Sequence, residues 1–347
     1  MTIQENIPLA PLTTLQVGGP ARYFVEAASE EDVREAIVFA RVKALSLFVL
    51  GGGSNLLISD SGWPGLVLRI AIGGIAQQQE DDAVLFEVGA GVDWDQFVAQ
   101  AVANNCAGVE CLSGIPGSVG GTPVQNVGAY GQEVSQTIES VRAFDQTEGR
   151  IVVLPKETCG FRYRASIFNT TERLLYVILR VTYRLARGGA PSLTYADLQK
   201  HFAGSAVPSL AQVRSAVLQI RQSKGMLIVP GDPDCRSAGS FFKNPVLSKA
   251  EFRDLVERAD SRGLKIPSYP ALDAQRKVSA AWLVEHSGFS KGFTLGAAGI
   301  SRKHALALIN TGNAHAADIV RLQETVQRGI EKTWGIALEP EPVFVGF

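Results

Sequence analysis

The chain has 347 residues, 46% of them hydrophobic and 19% charged, with 33 basic and 34 acidic residues and a net charge of −1. That composition excludes an extended disordered chain. The even charge excludes a surface built as a whole for nucleic acid or an anionic membrane. No stretch approaches the roughly 20 apolar residues that span a bilayer. The opening "MTIQENIPLAPLTTLQVGGPARYF" has neither the basic start nor the apolar run of a secretory signal. Cys106, Cys111, Cys159 and Cys235 form no C-x-x-C pair, and His201, His286, His304 and His315 show no close ligand spacing. The expectation is a cytoplasmic protein without a metal, of two or three domains.

In chain order, "ARYFVEA" reads as a strand. "SEEDVREAIVFARVKAL" reads as a helix opened by Ser29 with Asp32 in a capping-box position, its apolar face formed by Val33, Ile37, Ala40 and Val42. "LSLFVLGGGSNLLISD" predicts a strand, a glycine turn and a short apolar strand, and "GLVLRIAI" a further strand. "AVLFEVGAGVDWDQFVAQAVANN" predicts strand, turn and helix, with Asp93 as the cap. "TIESVRAFDQTEGRIVVLP" reads as a β-hairpin turning at Thr147 to Gly149, and "LLYVILRVTYRLA" as another strand. Helical patterns follow at "SLAQVRSAVLQIRQSKG", "SKAEFRDLVERADSRG", "SAAWLVEHSG" and "AADIVRLQETVQRGIEKTWG". The chain closes on strand-like "IALEPEPVFVGF". "MLIVPGDPDCRSAG" looks like a domain boundary.

Five stretches carry chemistry. Gly51, Gly52, Gly53, Ser54 and Asn55 follow a strand directly and suit either a phosphate-cradling loop or a plain tight turn. No helix opens there, so this is not the dinucleotide fingerprint of a doubly wound sheet. "SGIPGSVGGTPVQNVGAYG" holds six glycines and no charge, which suits close backbone packing on a flat ring or a pyrophosphate, or else a buried structural loop. "YRAS" offers Arg164 as a planar fork for a carboxylate or phosphate, beside an equally ordinary solvated arginine. "RSAGSFFKNP" presents Ser240. No G-x-S-x-G occurs and no histidine partner is implied, so a hydrolase nucleophile is excluded; proton donation remains open, with Lys243 and Asn244 just behind. "LEPEPVFVGF" locks Glu341 between prolines, as a solvated end or as a fixed polar group.

Together with "TTLQVGGPARYF" at the start, these motifs occur in the order found in the UDP-N-acetylenolpyruvoylglucosamine reductases (UDP-N-acetylmuramate dehydrogenases) of bacterial cell-wall synthesis, which the chain resembles nearly end to end. The resemblance implies an α+β protein: a two-part FAD-binding module of the vanillyl-alcohol-oxidase-like type plus a C-terminal α+β substrate-binding domain. The implied division is 1–70, joined by a C-terminal strand at 338–347, then 71–225, then 226–337. It implies FAD and NADPH as cofactors and a monomer. The implied substrate is UDP-N-acetylglucosamine enolpyruvate, with no nucleic acid or membrane partner. Hydride goes from reduced FAD to C3 and a proton from Ser240 to C2. Arg164 and Glu341 complete the implied catalytic set.

The implied FAD-binding residues are Gly51, Gly52, Gly53, Ser54, Asn55 and Leu56 in the first loop. In the second they are Gly114, Ile115, Pro116, Gly117, Ser118, Gly120, Gly121, Asn126, Gly128, Ala129 and Tyr130. The implied substrate contacts are Tyr163, Tyr195, Lys224, Asn244 and His304, with Tyr195 as the lid tyrosine of the longer class. Ala165 stands where an aspartate is common in the family, and the span from Lys224 to Ser240 is longer than in some members. The alternatives are an FAD-dependent alcohol oxidase of the same fold and a non-catalytic nucleotide-sugar binder. Neither glycine loop carries the histidine or cysteine that tethers flavin in many such oxidases, and a binder has no use for a proton donor.

Overall fold

The computed structural model describes residues 1–204 and 206–347, with Leu272 described by its backbone alone. The chain divides into two compact units. The first is made of Met1–Ile7, Ala21–Gly53 and Trp63–Ser223, and the second of Pro8–Pro20, Ser54–Gly62 and Lys224–Phe347.

The first unit holds two sheets. Pro20–Ala27, Trp63–Ile70 and Leu47–Leu50 run parallel, and Ile3–Pro8 adds an edge. Helix α1, Glu30–Val42, connects them. Ser29 accepts the Asp32 N–H and Asp32 accepts back, the expected capping box. Its buried face is Val33, Ala36, Ile37 and Ala40, whereas Val42 is 79% exposed. The expectation for Val42 fails because it lies about two and a half turns beyond Val33, on the opposite side of the helix.

The second sheet is antiparallel throughout. Its order is Arg150–Pro155, Ile138–Asp145, Tyr176–Arg187, Ala83–Gly89 and Ile75–Gln79, with Cys106–Ala107 also pairing on Tyr176–Arg187. The hairpin forms as the sequence predicts, with Asp145 paired to Arg150. Helix α2, Trp94–Ala103, is capped by Asp93, which accepts the Gln96 N–H. It buries Trp94 and Phe97 among Phe86 and Tyr183, with ring centroids 4.9 to 5.8 Å apart. Helices α3, Ala196–His201, and α4, Leu210–Ser223, complete this unit.

The second unit contains helices α5, Lys249–Asp260, α6, Ala280–Glu285, and α7, Ala316–Trp334. Two small antiparallel sheets accompany them, Thr294–Leu295/Ala298–Ile300/Leu308–Asn310 and Val246–Leu247/Arg276–Val278/Ser268–Pro270. A third pairing is parallel: Val343–Val345 lies beside Leu56–Ile58. Helix α7 buries Ile319, Leu322, Val326, Ile330 and Trp334 and ends at Gly335, whose φ of 71° is the usual glycine stop. Asp60 accepts the Ala316 and Ala317 N–H groups at 2.7 and 3.0 Å, satisfying two donors of that helix start. No helix among the described residues is long and apolar enough to cross a membrane.

Candidate functional site

In the first unit the two glycine loops press backbone on backbone. A Cβ at Gly52 would sit 2.5 Å from the Gly117 Cα and 2.7 Å from the Ser118 nitrogen. A Cβ at Gly51 would sit 2.9 Å from the Ser118 hydroxyl. Only glycine permits this approach. The second loop is stitched to the antiparallel sheet: Gly120 N–H donates to Ala90, Val119 N–H to Val92, and Trp94 N–H to Gly117. Thr122 shares a 2.7 Å hydrogen bond with the Tyr183 hydroxyl, whose pKa burial drives upward. The buried Ser118 Oγ has no hydrogen-bond partner among the described residues. An unsatisfied buried hydroxyl costs free energy unless a ligand satisfies it. A close glycine cradle, an orphan hydroxyl and a loop without charge fit the diphosphate of FAD.

Two clusters hold that loop, and neither is evident in the motifs. Asp95 accepts Gly114 N–H at 2.6 Å and a bidentate pair from Arg214 at 2.6 and 2.8 Å. Burial opposes the Asp95 charge. The Arg214 bonds, the Gly114 N–H and the charges of Arg214 and Arg221 outweigh it and hold the carboxyl below its ordinary range. Arg221, buried, donates from Nε to the Gly114 carbonyl at 3.1 Å. Burial lowers its pKa, while Tyr130 and Asp95 act the other way. Both sides of Gly114 are therefore fixed by α2 and α4. The available signal was two arginines seven apart on the face of α4 that also buries Val213 and Val217. The second cluster centres on Glu110, fully buried, which accepts Gly108 N–H, Gln132 Nε2 and Ser192 N–H at 2.8, 2.9 and 2.8 Å. It ties the segment ahead of Tyr195 to the glycine loop's base.

Asn126 is buried, and its amide is engaged with Glu133, the Arg162 carbonyl and Ser135 N–H, so its side chain braces the loop itself. Tyr195, 41% exposed, stands edge-on to Tyr130 with centroids 5.3 Å apart. Arg164 has a φ of 54°, in the left-handed region that a non-glycine residue occupies only when its surroundings force it. The forcing is local. Arg162 and Ala165 exchange two backbone hydrogen bonds, Asn169 donates to the Arg164 carbonyl, and Ser166 Oγ donates to Val124. Arg164 Nη2 donates to the Gly128 carbonyl at 2.9 Å, and the guanidinium lies 5.3 Å from the Tyr163 ring centroid. Asn126 and Tyr130 also have positive φ, 45° and 50°.

In the second unit the backbone of Phe241, the residue after Ser240, pairs with that of Glu341. Phe241 N–H donates to the Leu306 carbonyl and Glu341 N–H donates to the Phe241 carbonyl, both at 2.8 Å. Lys243 N–H donates to Glu339. Thus "SFFK" runs antiparallel to "EPE", anchored by the buried Phe241 and Phe242. The half-buried Ser240 Oγ makes no hydrogen bond among the described residues. Asn55 Nδ2 donates to the Glu341 carbonyl at 3.2 Å, and Val343 N–H donates to Asn55. Ser54 accepts from Thr14, and Leu56 starts the strand beside Val343.

The two residues behind Ser240 have other engagements. The Lys243 ammonium pairs with the exposed Glu339 at 3.3 Å, and Asn244 Oδ1 accepts Ala280 N–H at 2.9 Å. Gly225, beside Lys224, has a φ of 64° and lies against Asp234 and Ser301. Asp234 is fully buried and bound by Arg302, and Lys303 pairs with Asp232. His304 Nδ1 accepts Leu306 N–H at 3.0 Å. Burial, then the charges of Lys224 and Lys291, push its pKa down to about 4. The four cysteines are buried and free, and no group of three or more His, Cys, Asp or Glu able to hold a metal occurs among the described residues.

Comparison with known proteins agrees with this geometry. The FAD binding domain model matches residues 21–155, and that of the UDP-N-acetylenolpyruvoylglucosamine reductase C-terminal domain matches residues 232–345. The UDP-N-acetylenolpyruvoylglucosamine reductases of Thermobifida fusca and Salinispora arenicola are 46% and 45% identical to this chain. The matches cover 99% and 97% of this chain and 98% and 94% of those proteins. The crystal structure of the Thermus caldophilus UDP-N-acetylenolpyruvylglucosamine reductase superposes with a TM-score of 0.69 at 26% identity, over 99% of this chain and all of that one. A glycine cradle suited to FAD, a C-terminal unit of matching type and near-complete coverage at this identity lead to one conclusion: the chain belongs to the UDP-N-acetylenolpyruvoylglucosamine reductase family of FAD-dependent enzymes.

Proposed function

We propose that this chain reduces UDP-N-acetylglucosamine enolpyruvate to UDP-N-acetylmuramate with NADPH, as a monomer in the cytoplasm. The observation that carries the reading is the backbone pairing of Phe241, the residue after Ser240, with Glu341, with the Ser240 hydroxyl making no hydrogen bond among the described residues. FAD, when bound, supplies the hydride transfer from NADPH to the enol ether carbon C3. The residues named here supply binding, charge and the proton.

Addition of hydride at C3 places negative charge on C2 and the adjoining carboxylate. Arg164, held in its strained turn with its fork beside the Gly128 carbonyl, neutralises that charge. Ser240 Oγ gives its proton to C2, and the resulting alkoxide recovers a proton from water. Glu341, fixed by its own N–H and by Asn55, stabilises the enol form. The C2–H and C3–H bonds replace the double bond, so hydride and proton are both accounted for. Lys224 holds the diphosphate, Tyr195 covers it, and Tyr163, Asn244 and His304 line the substrate.

Residues 51–56 and 114–130 bind FAD. In this assignment 1–70 with 338–347 and 71–225 are the two parts of the flavin module, and 226–337 covers the substrate. The test is a flavin spectrum. NADPH alone bleaches the yellow protein, and UDP-N-acetylglucosamine enolpyruvate restores the colour. A protein purified without flavin that takes up none on incubation with FAD refutes the assignment.

A further inference from the structure

The stretch 226–239, boundary-like in the sequence, is folded back onto its own unit. Cys235 Sγ donates to the Leu227 carbonyl at 2.8 Å and accepts Val229 N–H at 3.3 Å. Asp232 Oδ1 accepts Asp234 N–H at 3.0 Å. The Arg236 carbonyl accepts Asn310 N–H at 3.0 Å, which joins the stretch to Leu308–Asn310.

Two ion pairs tie the same stretch to the turn 301–303. The fully buried Asp234 accepts Arg302 N–H at 3.0 Å and Arg302 Nε at 3.1 Å, with Nη2 also at 3.1 Å. Asp232 Oδ2 pairs with the Lys303 ammonium. A buried carboxylate persists only with such partners, and Arg302 holds both Asp234 oxygens. Against these pairs lies the buried Gly225, with a φ of 64°. A Cβ there would sit 3.3 Å from Lys303 Cδ, 3.4 Å from Asp234 Cβ and 3.4 Å from Ser301 Oγ. Each ion pair thus contributes a side chain that walls in the residue next to Lys224. The charge of Lys224 in turn reaches the His304 imidazole, whose pKa burial first, then Lys224 and Lys291, push down to about 4.

We propose that Asp234 is a positioning residue for Lys224: its pairing with Arg302, seconded by that of Asp232 with Lys303, fixes Gly225 and so aims the Lys224 ammonium. The consequence for substrate rests on the assignment of Lys224 to the diphosphate; the aiming itself does not.

D234N is nearly isosteric. Its amide still accepts Arg302 N–H but sets an NH2 group against the guanidinium, donor facing donor. NMR titration of His304 in the holoenzyme reads where Lys224 stands. Loss of the Asp234 charge by itself lowers the pKa of a nearby imidazole, whereas displacing Lys224 raises it. The His304 pKa in D234N is expected to rise toward its value in K224A, and D234N is expected to change nothing further in a K224A background. No rise in D234N, or an equal rise in the K224A background, overturns the aiming.

Calorimetric binding of UDP-N-acetylglucosamine enolpyruvate to the oxidised holoenzyme, without NADPH, reads the consequence. K224A is expected to weaken binding about tenfold or more through loss of a charge-assisted bond, and D234N about threefold to fivefold. In the K224A background D234N is expected to cost less than about twofold. Additive losses overturn the positioning role. K224A at wild-type affinity refutes the diphosphate assignment of Lys224 and the substrate consequence with it, and the His304 titration still decides the aiming. Should D234N fail to fold, K303A takes its place in both measurements with the same deciding outcomes, since Lys303 and Asp232 are both partly exposed and no fully buried charge loses its partner.

Discussion

Replacing Asp95 by alanine tests whether the flavin loop is held from outside by charge. Asp95 receives three hydrogen bonds, from Gly114 N–H and twice from Arg214, at 2.6 to 2.8 Å. Its side chain is 32% exposed and that of Arg214 only 17%. Hydrogen bonds to a charged group contribute about 1.5–3 kcal/mol each, and they overlap rather than add. Removing a carboxylate from two largely buried guanidiniums costs about 3–5 kcal/mol, and partial exposure places the expected loss near the lower end.

A chain of this size then loses roughly 6 °C in apo Tm at about 2 °C per kcal/mol. Gly114, freed on one side, must be re-ordered when FAD binds. Each 1.4 kcal/mol of that ordering weakens binding about tenfold, so the Kd for FAD rises about 10- to 100-fold. The acid dependence has a definite sign. The folded-state pKa of Asp95 is lowered, so its stabilisation is complete above the ordinary carboxylate range and vanishes as pH falls through the lowered value. The Tm gap between wild type and D95A should therefore close in acid. Calorimetry of the apo protein from pH 3 to 7 and fluorescence titration with FAD measure both effects. An FAD affinity within twofold of wild type, with a Tm gap that ignores pH, refutes the reasoning.

Ser240→Ala should leave bleaching by NADPH nearly intact and slow substrate-driven reoxidation by at least about a hundredfold; equal loss in both half-reactions would assign Ser240 to folding or flavin binding. Gly52→Ala drives a Cβ to 2.5 Å from the Gly117 Cα, so the purified protein should carry little flavin, and stoichiometric FAD by absorbance would contradict the cradle. In Arg164→Lys a single ammonium must serve both the Gly128 carbonyl and the substrate carboxylate; stopped-flow reoxidation should fall roughly tenfold or more, and an unchanged rate removes the arginine from the chemistry.

What the sequence made legible was local. The Ser29–Asp32 cap, the Asp93 cap, the 138–155 hairpin and the uncharged glycine loop each depend on residues within a few positions of one another. The partners of those elements were not legible. Asp95 meets Arg214 across 119 residues, and Glu110 meets Ser192 across 82. No periodicity marks either acid as the holder of a loop. Val42 misled because it continues an apolar run after the helix has turned its face away. The strain at Arg164 was equally hidden. "YRAS" gives no sign of it; the Arg162–Ala165 backbone exchange and the contacts of Ser166 with Val124 and Asn169 with the Arg164 carbonyl bend it into a left-handed turn.

The bond from Asn55 to the Glu341 carbonyl spans 286 residues. At ~5–20 residues per second of synthesis, about 15 to 60 s separate the emergence of the two ends of that bond. During that interval Leu56–Ile58 lacks its neighbouring strand Val343–Val345. Every residue of the Gly51–Gly53 and 114–121 loops has by then been made. The order of synthesis thus runs from the two glycine loops to Glu341, and the strand that completes the pairing with Leu56–Ile58 is among the last segments to be made.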